Sequence, residues 1–247
     1  MKKRLLSILL CVVMVCSVLP AYAAAAGLPF TDVKTNAWYY KDVKNAYEGG
    51  LINGKSATIF DPDAKLTYAE AVKLAACMHQ KSMTGNISLK NGSPWYQSYV
   101  DYCKTNGIIS KDYSWNITAT RAGYMEIFAN ALPDNLLQTI NSVADGAIPD
   151  VPKTHPQAAA IYKLYRAGIV QGVDTSYSCN PNSDIKRSEV AAILTRMMNA
   201  DERITFSVAI GTTALTVSIP KSAGQTYGSA NTGSMTATVS GGKAPYT

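Results

Sequence analysis

The sequence is poor in the residues that most often carry catalysis or bind metals. Its 247 residues include two histidines, His79 and His155, and neither lies in an H-E-x-x-H motif. A G-x-S-x-G nucleophile motif and a glycine-rich phosphate loop are also absent. Asp61 and Asp63 lack the neighbours of a calcium loop and are more typical of a turn. We therefore expect no enzymatic activity, no metal site and no cofactor.

Cysteine content and net charge argue against two further classes of protein. Two of the five cysteines lie in a predicted signal peptide, and Cys77, Cys103 and Cys179 remain without metal-ligand spacing. This odd number does not predict a disulfide scaffold. Lysine and arginine exceed aspartate and glutamate by 23 to 17, and three of the basic residues belong to the same peptide. The surplus that remains is too small to predict nucleic-acid binding.

A long hydrophobic run occurs only at the N-terminus. Basic residues at 2–4 precede an apolar run over 5–19, and residues 21–23 have the small-x-small pattern of a signal-peptidase site. A membrane anchor is the alternative, but a run of about 15 apolar residues is shorter than the roughly 20 that span a bilayer. Residues 1–23 are therefore predicted to be a signal peptide, and the mature chain to be exported without a membrane span.

The rest of the sequence contains a motif pattern that recurs three times. The first copy has F-T-D-V at 30–33, Trp38-Tyr39, G-L-I-N-G at 50–54, F-D-P at 60–62 and T-Y-A-E at 67–70. Shifts of 118 and 119 residues place most of these motifs between Asp150 and Glu189, and shifts of 57 and 53 place a middle copy between Trp95 and Ala122. The predicted repeats are residues 28–83, 86–132 and 147–199.

Apolar periodicity supports the same three units. One apolar stripe at i, i+3, i+4 and i+7 recurs in the second helix of each copy: Ala71/Leu74/Ala75/Met78, Tyr124/Ile127/Phe128/Ala131 and Val190/Ile193/Leu194/Met197. A shorter stripe precedes each of these and ends at Gly50, Gly107 or Gly168. Because a unit of about 50 residues cannot cover its own apolar face, three should share one core. The predicted fold class is all-α, built from three helix-loop-helix repeats.

The motifs F-x-D-V, an aromatic pair, G-(L/I)-(I/V)-x-G, F-x-P and T-R-x-E, in this order and threefold, resemble the S-layer homology domain of bacterial surface proteins. The resemblance covers roughly residues 28–199. It implies a pseudo-threefold bundle whose grooves between repeats bind secondary cell-wall polysaccharide, often bearing pyruvate ketals. It also implies a secreted protein held noncovalently on the cell wall.

The start of each second helix has two interpretations. Thr67 and Glu70 fit a T-x-x-E capping box, which is a structural role. An arginine at the first helical position faces the positive end of the helix dipole, which costs about 0.3–1 kcal/mol unless an anion offsets it. An anion would offset this cost, and the resemblance implies that Arg121 and Arg187 contact a carboxylate of the glycan. The alternative is a structural ion pair with an aspartate such as Asp150 or Asp184.

The two tryptophans of the aromatic pairs also have two interpretations. Trp38 and Trp95 are either core residues at a helix start or, as the resemblance implies, sugar-stacking platforms at a groove edge. With the motif carboxylates, the candidate polysaccharide-binding residues are Arg121, Arg187, Asp32, Asp150, Trp38, Trp95, Glu70 and Glu189.

No copy has the whole pattern. Tyr68 replaces the arginine of the first copy, Gly123 the glutamate and Leu89 the aspartate of the second, and Pro156 the tryptophan of the third. The Tyr68 corner is predicted to have lost anion recognition, because a phenol supplies one neutral donor instead of a charged fork.

The three cysteines of the mature chain align with different positions of the repeat. Cys103 and Cys179 align with apolar core positions, so both are predicted to be buried. Cys77 aligns with Asn130 and Arg196, which predicts an outward thiol able to pair between molecules.

The composition changes after residue 203. Alternation at Ile204/Phe206/Val208, Leu215/Val217/Ile219 and Met235/Ala237/Val239 predicts three strands. Residues 204–247 resemble an incomplete bacterial immunoglobulin-like repeat, and further β domains are expected downstream. The leading hypothesis is a wall-anchored surface protein. The alternative is the targeting module of a secreted polysaccharide-active enzyme, with a catalytic domain beyond Thr247.

Export can be tested by N-terminal sequencing of the secreted protein. We expect a chain that begins at about Ala24 and that denaturant releases from the wall without cell lysis. A secreted chain that still carries Lys2 would contradict signal cleavage.

Overall fold

The computed structural model of the chain describes residues 27–208, 216–218 and 238–240. The predicted signal peptide lies outside these residues, as does most of the chain beyond residue 208. The described part contains six α-helices and two short 3-10 helices, at Asp134–Leu136 and Ala200–Glu202. The helices are α1 Tyr40–Glu48, α2 Tyr68–Thr84, α3 Gln97–Thr105, α4 Arg121–Phe128, α5 Ala158–Arg166 and α6 Arg187–Met198. The strands are β1 Ser142–Val143, β2 Ser207–Val208, β3 Thr216–Ser218 and β4 Thr238–Ser240. The predicted all-α fold with a short β segment is confirmed.

The helices form three pairs in chain order, α1/α2, α3/α4 and α5/α6, each joined by a loop. Gly50, Gly107 and Gly168 lie two residues beyond the first helix of each pair, at φ +71°, +69° and +70°. This left-handed conformation ends the helix and suits glycine, which lacks a Cβ atom. All twelve residues of the predicted second-helix stripes are buried in one continuous core. The predicted periodicity is therefore confirmed.

Each first helix packs against the second helix of the preceding pair. Thus α3 packs on α2, α5 packs on α4, and α1 packs on α6. The α1–α6 contact joins the first pair to the last, and the hydroxyl of Thr195 on α6 donates a hydrogen bond of 3.2 Å to the carbonyl of Asp42 on α1. The three pairs therefore form a closed ring, and none of them buries its apolar faces alone.

A cycle of backbone hydrogen bonds lies at the centre of the ring. The N–H of Leu66 donates to Ile185 at 3.3 Å, Ile185 to Ala119 at 3.3 Å, and Ala119 back to Leu66 at 2.7 Å. All three side chains are buried. These residues lie just before α2, α4 and α6, so the cycle sets the three helix starts around one pseudo-threefold axis.

The cysteines differ from expectation at one position. Cys103 and Cys179 are fully buried, as predicted. Cys77 is also buried, with 7% of its surface exposed, so the prediction of an outward thiol was wrong. The physical reason is that α3 packs on α2, which the repeat alignment does not reveal. Burial raises the pKa of the Cys77 thiol and so disfavours the reactive thiolate.

The first predicted tail strand packs on the helical part. β2 pairs in parallel with β1, and the Phe206 ring stacks on Tyr177 at a centroid distance of 5.1 Å. Buried Asn141 donates to the carbonyls of Tyr165 and Ile204 at 3.0 and 2.8 Å, and it accepts the N–H of Phe206 at 2.8 Å. Residues 204–208 therefore complete the third helix pair. β3 and β4 form an antiparallel pair, and the immunoglobulin-like assignment stays a prediction.

The structure predicts a large stability loss for Asn141→Ala. The change removes the side-chain hydrogen bonds to the carbonyls of Tyr165 and Ile204 and to the N–H of Phe206, so we expect the free energy of unfolding to fall by about 2–4 kcal/mol. Urea unfolding followed by circular dichroism measures this fall. Asn135→Ala, at an exposed asparagine, is the control and should change stability little. Equal stability of the two variants would contradict the anchoring role of Asn141.

Candidate binding grooves

Each second helix begins against a loop of another pair. At the start of α4, the N–H groups of Arg121 and Ala122 donate to the carbonyls of Ser183 and Pro181 at 2.8 and 3.0 Å. The same two bonds recur at the other helix starts. Their donors and acceptors are Arg187 to Ala64, Ser188 to Pro62, Tyr68 to Ile117 and Ala69 to Trp115. The neighbouring loop thus accepts N–H groups that a helix start leaves unpaired.

Arg187 and Asp32 hold the 60–61 loop from opposite sides. Arg187 donates from Nε to the carbonyl of Phe60 at 2.9 Å and from Nη2 to the carbonyl of Asn53 at 2.5 Å, and its guanidinium lies over the Phe60 ring. Asp32 accepts the N–H groups of Phe60 and Asp61 at 2.9 and 2.7 Å. Burial acts to raise the pKa of Asp32, but these two hydrogen bonds hold it below its ordinary value. Both side chains therefore fix the loop.

Arg121 and Asp150 repeat this arrangement on the 179–180 loop. Arg121 donates from Nε to the carbonyl of Cys179 at 2.8 Å, and Asp150 accepts the N–H groups of Cys179 and Asn180 at 2.8 and 2.7 Å. Arg121 Nη1 also pairs with Glu189 Oε1 at 2.6 Å. The ion-pair alternative holds for Arg121, with a glutamate instead of the expected aspartate. Contact of either arginine with a glycan stays a prediction.

The two glutamates act at the helix starts and at the groove edges. Glu70 accepts the N–H of Thr67 at 2.8 Å and donates its own N–H to the Thr67 hydroxyl at 3.2 Å, so the predicted capping box is present. Glu189 accepts the N–H of Lys186 at 2.9 Å. Glu70 also pairs with Lys55 at 3.3 Å. Each glutamate therefore caps its helix and carries a second bond to a cation.

Both tryptophans lie outside the buried core. Trp38 is 65% exposed and Trp95 is 37% exposed, each two residues before its helix. Each indole contacts the next tyrosine edge to face, at centroid distances of 5.3 and 5.6 Å. The core-packing interpretation of these residues is therefore wrong. Each ring lies in a turn before the helix and is partly open to solvent, Trp38 more than Trp95, over which the ammonium of Lys73 lies.

Two grooves collect the candidate residues, and each draws on all three pairs. Groove A, of about 330 Å³, is lined by Glu70 from the first pair, Trp95 from the second and Arg187 from the third. Groove B, of about 120 Å³, is lined by Glu189 from the third pair, Trp38 from the first and Arg121 from the second. Asp32 stands behind Arg187 of groove A, and Asp150 behind Arg121 of groove B. The eight candidates thus form two sets of four.

The departures from the pattern gather at the third position of the ring. Tyr68 points to α4 and stacks on Tyr113 at 4.9 Å, and a Cβ atom at Gly123 would lie 2.2 Å from the Tyr68 hydroxyl oxygen. Tyr68 and Gly123 therefore meet at one corner of the ring. This corner is equivalent to the one in groove B at which Arg121 and Glu189 meet. By the threefold symmetry of the ring, Pro156 takes the tryptophan position and Leu89 the aspartate position of this third corner. Comparison of the repeats one copy at a time does not show that these four departures belong together, because each groove takes residues from all three copies.

Comparison with known proteins matches the first and last helix pairs. Two segments, residues 29–72 and 147–191, match the S-layer homology domain. The middle pair lies outside both matched segments, so its assignment as a third S-layer homology repeat stays a prediction.

Two characterised proteins are similar to the chain. The surface-layer 125 kDa protein of Lysinibacillus sphaericus is 29% identical over 120 residues, which cover 44% of this chain and 10% of that protein. An endoglucanase of Bacillus sp. (strain KSM-635) is 24% identical over 212 residues, which cover 79% of this chain and 22% of that enzyme. The chain therefore spans a small part of the length of either relative.

The S-layer homology segments and the surface-layer relative indicate a cell-surface, cell-wall-associated protein, as predicted. Between residue 27 and residue 208, and in the two short strands beyond, no helix has the length and apolar character needed to cross a membrane. The same residues contain no cluster of three or more side chains suited to holding a metal ion.

The shared corner of Tyr68 and Gly123 can be tested with a double-mutant cycle. Gly123→Glu alone should lower the free energy of unfolding by about 1–3 kcal/mol, because the new side chain meets the Tyr68 ring. Tyr68→Arg together with Gly123→Glu rebuilds the pair of groove B, and we expect it to recover at least about 1 kcal/mol of that loss. Urea unfolding of the parent, both single variants and the double variant gives the coupling. Additive effects would contradict the shared corner.

Proposed function

We propose that this chain anchors its protein to the bacterial cell wall by binding secondary cell-wall polysaccharide in grooves A and B. The observation that carries the proposal is that Arg187, Glu70 and Trp95 line groove A, and that their counterparts Arg121, Glu189 and Trp38 line groove B. Asp32 and Asp150 lie outside the linings and bind the loops that the two arginines also hold. Two complete grooves on one rigid ring give two attachments to a polymer. A second attachment raises the effective affinity well above that of either site.

The exposed tryptophans are the recognition surfaces of the proposed sites. A sugar ring presents C–H groups that pack against an aromatic face, and Trp38 and Trp95 leave such faces at the groove edges. The carboxylates and backbone carbonyls of the grooves accept hydrogen bonds from sugar hydroxyls. Pyruvate ketals on the polysaccharide would supply carboxylates to the cationic groups.

Arg121 and Arg187 act in the proposed sites mainly by positioning. Each is at most 6% exposed and donates to a backbone carbonyl of the loop behind its groove. Burial lowers the pKa of Arg187, and the nearby carboxylates of Glu70, Asp61 and Asp32 act in the opposite direction. Any contact with a ligand carboxylate uses the part of the guanidinium that faces the groove.

A second candidate function is the targeting module of a secreted polysaccharide-active enzyme. The observation that favours it is the endoglucanase match, which covers 79% of this chain and 22% of that enzyme. Both functions use the same wall-binding grooves and differ in whether the full protein includes a catalytic domain. The full reading frame at the C-terminus distinguishes a surface-layer protein from an enzyme.

Binding to cell-wall sacculi tests the proposed function. The secreted chain should sediment with sacculi that carry their polysaccharide and stay in solution with sacculi from which the polysaccharide has been removed chemically. Equal sedimentation with both preparations would contradict polysaccharide binding.

Tryptophan variants test the two grooves separately. Trp38→Ala and Trp95→Ala each remove an exposed ring, so we expect each to weaken binding of the purified polymer about three- to tenfold without loss of helicity. Met83→Ala is the matched control, because Met83 is 60% exposed and lies in neither groove. Isothermal titration and circular dichroism give the two measurements. Full affinity in both tryptophan variants would contradict the grooves as binding sites.

A further inference from the structure

Grooves A and B differ in charge at one position of the second helix. Lys73 lies three residues after Glu70 in groove A, and Ala192 occupies the equivalent position, three residues after Glu189, in groove B. Lys73 is half-buried, and its Nζ atom lies 5.7 Å from the centre of the Trp95 ring and 5.4 Å from that of Tyr99. The ammonium is therefore held beside the exposed indole that lines the same groove.

In the described part of the chain, the ammonium of Lys73 contacts aromatic rings and no carboxylate. It forms no ion pair with any carboxylate among those residues. The other two cations of groove A are engaged, since Lys55 pairs with Glu70 and Arg187 donates to two carbonyls. An anion that enters groove A therefore meets one ammonium without a competing partner.

Both cations of groove B are already engaged. Arg121 pairs with Glu189 at 2.6 Å, and Arg196 donates from Nη1 to the carbonyl of Ile169 at 3.0 Å. Ala192 adds no charge at the position of Lys73. An acidic group in this groove would have to displace Glu189 from Arg121, whereas an uncharged sugar does not.

We infer that Lys73 makes groove A the site for an acidic substituent of the wall polysaccharide, while groove B takes an uncharged part of the same polymer. The inference rests on the proposed function and specifies the chemistry of its two sites. An ammonium is a compact point charge that suits a carboxylate or a phosphate equally. Because its Nζ atom lies 5.7 Å from the centre of the Trp95 ring, Lys73 would hold that acidic group next to a sugar that contacts Trp95.

Titration of the secreted chain with polysaccharide released from cell-wall sacculi tests the inference. Lys73→Met keeps the length of the side chain and removes the charge, so we expect roughly tenfold weaker binding and a smaller dependence on salt. Lys73→Arg keeps the charge and should restore most of the affinity. Lys34→Met, at an exposed lysine outside both grooves, makes the same change in net charge and should leave affinity unchanged.

Reduction of the polymer carboxyl groups to alcohols identifies the acidic substituent. If the substituent is a carboxylate, reduction weakens binding of the parent roughly tenfold and leaves Lys73→Met unaffected. If it is a phosphate, reduction changes neither protein, and the difference between parent and Lys73→Met remains. Both results support the inference and assign the group.

Two outcomes separate the inference from the proposed function. Equal affinity of the parent, Lys73→Met and Lys34→Met overturns the role of Lys73 and leaves wall binding intact. Failure of the parent to bind the polymer overturns both. If circular dichroism shows that Lys73→Met is unfolded, the salt dependence of polymer binding by the parent protein decides. Binding to an acidic group weakens as salt increases, and binding to a neutral sugar does not.

Discussion

The cycle of three backbone hydrogen bonds among Leu66, Ala119 and Ile185 is the constraint on which the rest of the structure depends. It lies among buried residues, where an unpaired N–H or carbonyl would cost more than at the surface. All three copies must be present for each group to find its partner. The cycle therefore couples the three helix pairs into one unit and fixes where each second helix starts.

From that centre, the same clamp is built twice. An aspartate accepts two N–H groups of a loop, and an arginine from another pair donates to the carbonyl of the same loop. Both aspartates and Arg187 bond to the backbone in this way, and Arg121 bonds to the backbone and to Glu189. These bonds explain how an arginine is tolerated at a helix start. The arginine of each clamp also lines its groove, together with a partly exposed tryptophan and, in groove A, Lys73. At the third corner, Tyr68 stacks on Tyr113 and fills the space that a side chain at position 123 would need. Packing of two aromatic rings at this corner takes the place of a buried arginine and its partners. The ring of helices therefore stays closed, although this corner has neither the arginine nor the glutamate.

The sequence by itself determined the local features of this protein. The 3.6-residue periodicity fixes the buried face of each second helix, Gly50 and its counterparts end the first helices, and Thr67 with Glu70 caps α2, because each depends on residues a few positions apart. The identities of the eight candidate residues also follow from motifs of this local kind.

Only the tertiary structure decided which of these residues meet. Cys77 is buried because α3 packs on α2, and residues 204–208 join the helical part through Asn141, contacts that no local pattern encodes. Comparison of the repeats left every copy incomplete, yet the ring leaves two grooves complete, since a groove takes one residue from each of three copies. The physical reason is that closure of the ring brings together residues far apart in the chain, such as Glu70 and Arg187, and closure depends on the whole core.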